Sequence, residues 1–223
     1  SSDLAWYDGP TLLSTIDGVV LPSDADRGLR LPVQTVLRTA DFRGYGGVVA
    51  SGTLRRGDHV KVAGSGQSAV VTRLLALAGE EAVELESGSS GQSVAVELDR
   101  DIDIARGDLL SIATDSPVAA DRFSADLVWL GEDQLAHGRS YVLRSGPLEV
   151  PATITAVRHL LDVTTGAELA ARTLSMNEVG RVELATNRAI PLDSYARCHD
   201  TGGFILCDRV TGETVAAGLT RFA

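Results

Sequence analysis

The stretch that decides the fold is Gly44-Tyr-Gly-Gly-Val-Val-Ala-Ser-Gly-Thr-Leu-Arg-Arg-Gly-Asp58, followed directly by His59-Val-Lys-Val-Ala63. Val48 to Leu54 is short and consists largely of small and β-branched residues, which predicts a strand packed on both faces. Arg55 to Asp58 has the composition of a turn, in which the glycine can take a positive φ. His59 to Ala63 alternates outward polar with inward apolar side chains and predicts the second strand of a β-hairpin. The remaining glycines predict sharp bends, which are typical of a sheet that curls into a small barrel.

The same pattern of short strands and turns continues along the chain. Predicted strands run over residues 31–38, 69–77, 93–98, 109–112, 122–130, 139–144, 149–158, 180–185, 204–209 and 214–219. Arg106-Gly-Asp108 repeats the Arg-Gly-Asp of residues 56–58 and again precedes a predicted strand. Turns every ten residues or so favour a barrel or sandwich over βαβ units.

We therefore predict an all-β chain with two closed β-barrels, at 27–115 and 118–223. An N-terminal segment, residues 1–26, contains a short predicted helix over 3–16 and a polar linker. Because the chain begins in mid-element without a start methionine, we expect it to be part of a longer protein.

Composition excludes several classes of protein. The chain has 223 residues, is 44% hydrophobic and 22% charged, and carries a formal net charge of −10, which argues against an overall nucleic-acid-binding face. It has no apolar run approaching the roughly 20 residues that a helix needs to span a bilayer. It also has no signal peptide. Its two cysteines, Cys198 and Cys207, do not indicate a disulfide framework. We expect a cytoplasmic protein with reduced thiols and neither a membrane nor a nucleic-acid partner.

The nucleotide-binding motifs of GTPases are missing from this sequence. The only lysine, Lys61, follows Val60 in a predicted strand, so the chain has no phosphate-binding Gly-x-x-x-x-Gly-Lys-Ser/Thr loop and no guanine-reading Asn-Lys-x-Asp. Gly64-Ser-Gly-Gln-Ser-Ala69 fits a loose dinucleotide fingerprint, but a strand follows it instead of a helix, so we interpret it as a hairpin turn. We predict that the chain binds no cofactor and no GTP.

Candidate metal-binding and catalytic residues are isolated. Cys198-His199 and Cys207 lack the paired spacing of a zinc site, and Asp99-Arg-Asp-Ile-Asp103 lacks the glycine and distal glutamate of a calcium loop. The other histidines are His59, His137 and His159. None of them accompanies a Gly-x-Ser-x-Gly nucleophile motif. We predict no metal site and no catalytic residue.

One segment, Asp41-Phe-Arg-Gly-Tyr-Gly-Gly47, is a candidate contact surface. Phe42, Arg43 and Tyr45 are predicted to lie on a loop, where two aromatic rings beside an arginine are typical of an interface. The alternative is that the aromatic side chains fold back onto the barrel, and the sequence leaves both open.

The opening stretch is similar to the start of the second domain of translational-type GTPases such as elongation factor Tu. Segments along the whole chain resemble the large subunit of bacterial sulfate adenylyltransferase. These segments are Trp6-Tyr-Asp-Gly-Pro-Thr-Leu-Leu13, Leu31-Pro-Val-Gln-Thr-Val36, Asp41-Phe-Arg-Gly-Tyr-Gly-Gly-Val-Val-Ala-Ser-Gly-Thr53, Asp103-Ile-Ala-Arg-Gly-Asp108, Ala120-Asp-Arg-Phe123, Val128-Trp129, Gly138-Arg-Ser-Tyr141, Asn177-Glu-Val-Gly-Arg181 and Thr201-Gly-Gly-Phe-Ile-Leu-Cys-Asp-Arg209.

The resemblance implies a heterodimer in which a small subunit makes adenosine phosphosulfate from ATP and sulfate, and the large subunit couples GTP hydrolysis to that reaction. The two barrels would be the second and third domains of the large subunit, with GTP and magnesium held by a GTPase domain outside this chain. The implied partners are the small subunit, that GTPase domain and, in some members, a fused adenylylsulfate kinase domain. On its own the chain is not expected to be catalytic. The alternative is the barrel pair of an elongation factor that binds aminoacyl-tRNA, which the acidic balance disfavours.

Overall fold

The structure is a computed structural model that describes residues 7–19, 27–39, 42–78 and 81–221. Its helices are α1 (Leu12–Asp17) and α2 (His199–Gly202). Its strands are β1 (Leu31–Pro32), β2 (Thr35–Arg38), β3 (Arg43–Val48), β4 (Thr53–Arg55), β5 (His59–Ala63), β6 (Ser68–Ala78), β7 (Glu81–Glu84), β8 (Ser87–Ser89), β9 (Ser93–Leu98), β10 (Leu109–Ile112), β11 (Val118–Trp129), β12 (Ser140–Ser145), β13 (Leu148–Leu161), β14 (Glu168–Leu169), β15 (Val179–Leu192), β16 (Gly203–Asp208) and β17 (Thr214–Arg221).

The first barrel is an antiparallel sheet in the order β1-β10-β5-β6-β9-β3-β2, with β7 paired to β6. The two ends of this order, β1 and β2, are separated only by Val33 and Gln34. One bent stretch therefore pairs with β10 at one end and with β3 at the other, and this closes the sheet around its core. Strands β4 and β8 form a separate two-stranded sheet.

The second barrel is a closed ring of six strands in the order β12-β16-β17-β11-β15-β13, in which β13 pairs back to β12. Strand β14 pairs with the end of β13. The long strands carry register shifts, between Ala120 and Arg122 in β11 and between Ile154 and Ala156 in β13. Such bulges increase the local bend, which lets long strands follow the curve of a barrel. The predicted all-β fold is confirmed.

Each barrel has its own apolar core, and the two cores share no residue. The first is built mainly from valine and leucine, with Tyr45 as its aromatic member. The second also contains two edge-to-face aromatic pairs with centroids 5.9 Å apart, Phe123 with Phe204 and Trp129 with Tyr141. These pairs stabilise the second core beyond the apolar area that they bury.

The hairpin that opens the sequence differs from the prediction in its first strand. A single strand from Val48 to Leu54 is wrong, because β3 ends at Val48 and β4 begins only at Thr53. Gly52 between them has φ +76°, and a Cβ there would lie 2.7 Å from the Leu29 backbone, so the chain bends where it passes that residue. The following turn and strand are confirmed: the turn glycine Gly57 has φ +89°, and β5 alternates exposed or half-buried with buried side chains.

The N-terminal helix is shorter than predicted. It begins after Thr11, whose hydroxyl accepts a hydrogen bond from the Ser14 N–H at 3.1 Å, so Pro10 precedes the helix instead of lying in its first turn. None of the α1 residues is buried. Residues 3–6 of the predicted helix and residues 21–26 of the predicted linker lie outside the described residues.

Candidate functional site

The segment predicted to be a contact loop is a strand over most of its length. Arg43 to Val48 form β3, which pairs with β2 on one side and β9 on the other. Its glycines serve close packing: a Cβ on Gly44 would lie 2.4 Å from the Val96 carbonyl oxygen, and one on Gly47 would lie 2.2 Å from that of Pro32. The loop prediction is therefore wrong for this stretch, because glycines that permit bending also permit strands to approach closely. Asp41 lies outside the described residues.

Tyr45 is a core residue of the first barrel. Its side chain is 5% exposed, and its hydroxyl donates a hydrogen bond to the Ile102 carbonyl oxygen at 3.1 Å. Burial raises the pKa of this phenol, because the charged form would lose its hydration. The sequence left two interpretations open, a ring on a contact loop and a ring folded onto the barrel, and for Tyr45 the structure shows the second.

Phe42 and Arg43 remain at the surface, but they contact different neighbours. A Cβ on Gly44 would lie 2.6 Å from the Phe42 ring, and the Arg73 guanidinium carbon is 6.0 Å from the centroid of that ring. Arg43 forms an ion pair with Asp101 at 2.7 Å, and its side chain is half exposed. A contact role for Phe42 and Arg43 stays a prediction.

Phe42 also lines a groove of about 770 Å³ on the outer face of the first barrel. Thr35 lies opposite Gly46 across the ladder, Gly46 lies opposite Ala95, and Ala95 lies opposite Leu75. Gly46 and Ala95, the two smallest residues of this row, lie in its middle and form the floor of the groove between the larger side chains of Thr35 and Leu75. The lining is uncharged and comprises Gln34, Thr35, Leu37, Thr39, Phe42, Gly46, Gly47, Leu75, Ala76, Ala82, Gln92, Ser93, Val94 and Ala95.

A buried ion pair joins the two barrels. Arg30, which is 1% exposed, donates from Nε to one carboxylate oxygen of Asp193 at 2.7 Å and from a terminal nitrogen to the other at 2.8 Å. Its other terminal nitrogen donates to the carbonyl oxygens of Leu29 and Asp115, each at 2.8 Å. Burial opposes the charge of Arg30, but the hydrogen bond and the negative charge of Asp193 outweigh it and raise the arginine pKa. Arg30 therefore keeps its positive charge at neutral pH.

Further contacts surround this pair. The Thr201 hydroxyl donates to Asp193 at 2.7 Å, and Arg197 forms an ion pair with Asp115. Arg27 of the first barrel donates to the Arg197 carbonyl oxygen at 2.7 Å. The network thus combines charges from both barrels and from the segment between them. Sequence patterns did not indicate it, because Arg30 and Asp193 belong to no motif.

No group of three or more histidine, cysteine, aspartate or glutamate side chains that could hold a metal ion occurs among the residues that the structure describes. Cys198 and Cys207 are both buried free thiols. His159 lies 3.4 Å from Glu168, and His137 contacts the Arg172 carbonyl oxygen. Within the described part of the chain, no helix has the length and apolar character to cross a membrane.

Comparison with known proteins supplies the family context. A family model described as GTP-eEF1A C-terminal domain-like matches residues 122–221. The chain is 39% identical to sulfate adenylyltransferase subunit 1 of Aeromonas hydrophila over 221 residues. This aligned region covers 98% of this chain and 46% of that protein. The predicted resemblance is confirmed: the chain is homologous to sulfate adenylyltransferase subunit 1 over nearly its whole length.

Two other relatives are similarly related. The chain is 38% identical over 226 residues to sulfate adenylyltransferase subunit 1 of Laribacter hongkongensis, covering 46% of that protein. It is 40% identical over 221 residues to the bifunctional enzyme NodQ of Rhizobium sp. (strain N33), covering 34% of that protein. The chain thus spans less than half the length of the curated relatives that it matches.

Among solved structures, Sup35 complexed with GDP superimposes with a TM-score of 0.81 at 22% identity, over 97% of this chain and 53% of that one. Sup35 complexed with GMPPNP gives the same TM-score at 23% identity. These likenesses establish the fold and agree with the predicted translation-factor type of barrel pair.

Proposed function

We propose that this chain is the barrel pair of the GTPase subunit of a sulfate adenylyltransferase. In this role it supports GTP-coupled synthesis of adenosine phosphosulfate from ATP and sulfate. The observation that carries the proposal is the 39% identity to sulfate adenylyltransferase subunit 1 over 98% of the chain. GTP and magnesium would bind to a GTPase domain outside the chain, and the small subunit would carry out adenylyl transfer.

The homology to NodQ, whose name calls it bifunctional, supports a fused adenylylsulfate kinase as a further partner in some relatives. Two buried free thiols favour the reducing cytoplasm as the site of action.

Within such an enzyme the barrels would act in coupling and subunit binding. Coupling between two sites requires two arrangements whose contacts differ, because a ligand that contacts both arrangements equally shifts no equilibrium. The ion pair between Arg30 and Asp193 favours this role, because it joins the barrels through a buried and specific contact. A movement imposed on one barrel can then reach the other.

The second candidate function is that of an elongation-factor barrel pair that holds aminoacyl-tRNA. The superposition on Sup35 favours it at the level of fold. The identity of the curated relatives and the net charge of −10 favour the first function, because binding of RNA backbones depends on basic surfaces.

A chimera tests the proposal. The matching region of Aeromonas hydrophila subunit 1 is replaced by this chain, and the chimera is purified together with the small subunit of that organism. We expect GTP-stimulated, sulfate-dependent release of pyrophosphate from ATP. The matched control carries the Sup35 barrels in the same place, which share the fold at 22% identity and are expected to fail. A folded chimera with this chain that lacks GTP stimulation, or that binds aminoacyl-tRNA, would contradict the proposal.

A further inference from the structure

The outer face of the second barrel carries a row of alternating charges across β17, β11 and β15. Asp126 of β11 lies opposite Arg181 of β15 and accepts a hydrogen bond from its Nε at 2.9 Å. On the other side, the Nε of Arg221 in β17 donates to the second carboxylate oxygen of Asp126 at 2.7 Å. The Asp126 side chain is only 14% exposed, whereas that of Arg221 is 57% exposed. One largely buried carboxylate therefore holds two arginines in place.

A second pair of arginine and carboxylate lies beside the first. The Glu183 carboxylate accepts hydrogen bonds from the Arg158 Nε at 3.1 Å and from the Ser124 hydroxyl at 2.8 Å. Arg158 lies at a register shift of β13, between Val157 and His159, and such a bulge changes the direction of a side chain. Here too the carboxylate is the inner partner and the exposed guanidinium is the outer one.

These arginines bind their carboxylates through Nε, which leaves the outer end of the side chain available. Within the part of the chain that the structure describes, the terminal nitrogens of Arg158 and Arg221 donate to no other group. The terminal N–H groups of a guanidinium form a planar fork that can bind the oxygens of a carboxylate or phosphate. Arg122, two residues before Ser124 on the same face of β11, is exposed and adds a further guanidinium.

We call this surface the arginine face, which comprises Arg122, Arg158, Arg181 and Arg221 with Asp126 and Glu183 between them. Four positive and two negative charges leave it with a net charge of +2, although the whole chain carries −10. An exposed apolar side chain, Leu219, lies opposite Asp126 in the same row. Arginine is enriched at protein–protein interfaces, where it often accompanies apolar contacts. The arginine face is therefore a small positive surface on an acidic protein.

We propose that the arginine face is a docking surface for a short acidic segment of a partner protein. Its four strands lie about 4.8 Å apart, so the face is about 15 Å wide, and about five residues of extended chain would span it. Carboxylates of such a segment bind the terminal nitrogens of Arg158 and Arg221, while Asp126 and Glu183 orient these arginines from beneath. The inference is independent of the function proposed above, because it uses only residues of this chain.

A protein segment fits this face better than a nucleic acid does. Double-stranded DNA carries one negative charge per about 1.7 Å of its axis over its whole length. A nucleic acid would extend beyond a face about 15 Å wide and meet the remainder of a chain whose net charge is −10. The carboxylates between the arginines would also repel closely spaced phosphates. A peptide, in contrast, can place its carboxylates at the arginines alone.

Binding of an acidic peptide to the intact chain tests the proposal. The probe is a peptide of about eight residues, longer than the face is wide, in which glutamate alternates with glycine. It carries an uncharged fluorophore, and a peptide with glutamine in place of glutamate is its neutral counterpart. We expect fluorescence anisotropy to show binding of the acidic peptide alone, and this binding should weaken with added salt, because salt screens exposed charges. An acidic peptide that does not bind at low salt would overturn the proposal.

A double variant locates the binding on the barrel. Arg158→Gln with Arg221→Gln should lower the affinity for the acidic peptide about tenfold, because two exposed charge pairs with the peptide are lost. The matched control is Arg144→Gln with Arg209→Gln, which removes the same charge from exposed positions of the same barrel outside the arginine face. Like Arg158, Arg144 donates from Nε to a carboxylate, that of Glu149, at 3.2 Å. Equal losses in the two double variants would contradict docking at the arginine face.

Asp126→Ala distinguishes oriented arginines from positive charge alone. The substitution raises the net charge of the face, so attraction by charge alone would increase the affinity for the acidic peptide. It also removes the carboxylate that holds Arg181 and Arg221, and we therefore expect the affinity to fall. Far-UV circular dichroism checks that the strands are intact. A folded Asp126→Ala variant with higher affinity would refute the proposed arrangement.

An oligonucleotide tests the other class of partner. Single-stranded oligothymidylate of about eight nucleotides has the charge spacing of a nucleic acid and carries the same fluorophore. We expect it to bind more weakly than the acidic peptide. If it binds more tightly, and Arg158→Gln with Arg221→Gln abolishes that binding, the surface takes a nucleic acid and the assignment to a protein segment is wrong.

Discussion

The hydroxyl of Tyr45 donates a hydrogen bond to the Ile102 carbonyl oxygen at 3.1 Å. The bond ties the middle of β3 to the acidic segment that precedes β10, and it uses the polar end of a ring that is otherwise buried in the first core. A buried phenol commonly combines an apolar body with one satisfied hydrogen bond. Tyr45 therefore stabilises the first barrel and does not form an exposed contact surface.

We expect Tyr45→Phe to lower the free energy of unfolding by about 1 kcal/mol, because it removes one hydrogen bond and keeps the ring. Tyr45→Ala should cost about 3–5 kcal/mol, the usual range for an emptied aromatic core site. Phe42→Ala is the control, since this ring is only half buried and should cost less. Urea unfolding of the chain measures all three. A loss for Tyr45→Ala no larger than that for Phe42→Ala would contradict the core assignment.

The predicted contact role of Phe42 and Arg43 can be tested in the heterodimer that the proposed function implies. If Phe42 anchors an interface, Phe42→Ala should weaken subunit affinity by about 1–2 kcal/mol and lower GTP-stimulated adenylyl transfer. Arg43→Ala breaks the ion pair with Asp101, and its effect on subunit affinity and on GTP stimulation tests the same role for the neighbouring side chain. Arg144→Ala, which breaks a surface ion pair with Glu149 in the second barrel, is the matched control. Wild-type affinity and stimulation in both test variants would rule out the contact.

Acid should weaken the turn between β16 and β17. The backbone N–H groups of Val210 and Thr211 donate to the Asp208 carboxylate, and together with Arg139 they hold the pKa of that group below its usual value. A lowered pKa means that the stabilisation is present above the unfolded pKa of about 3.9 and is lost as the pH falls towards the folded pKa.

We therefore expect Asp208→Asn to reduce the difference between the free energies of unfolding at about pH 7 and at about pH 3. Asp121→Asn, on an exposed residue of β11, serves as the control and should keep the difference of the unmodified chain. Chemical unfolding at the two pH values provides the measurement. An unaltered difference in Asp208→Asn would show that this carboxylate does not contribute to the acid sensitivity.

Replacing one partner of the Arg30–Asp193 ion pair should lower the free energy of unfolding more than replacing both. Removing one partner leaves an uncompensated buried charge, so Arg30→Met or Asp193→Leu alone should cost about 3–5 kcal/mol of unfolding free energy. The double variant should recover most of that loss, because two apolar side chains of similar size replace both charges. Urea unfolding of the four proteins forms a complete cycle. Additive losses would contradict the coupling.

Much of the fold follows from local sequence. Alternation of side chains along a strand and turn glycines depend only on neighbouring residues, so β5, β9, β10, β16 and β17 could be predicted closely. The positive φ of Gly57 follows from the Arg-Gly-Asp turn for the same reason. The glycines of β3 misled the prediction because a glycine allows both a bend and a close strand, and the choice between them depends on what packs alongside.

The sequence by itself determined the all-β class and most of the strands, because strand and turn signals lie within a few residues of each other. Only the tertiary structure decided that Tyr45 is buried, that Arg30 binds Asp193 across 163 positions, and that Gly107 meets Leu148 while Gly57 meets solvent. Two identical turns cannot be told apart by their own residues. Their difference arises from the packing of one barrel against the other, and that packing depends on contacts between parts of the chain that are distant in sequence.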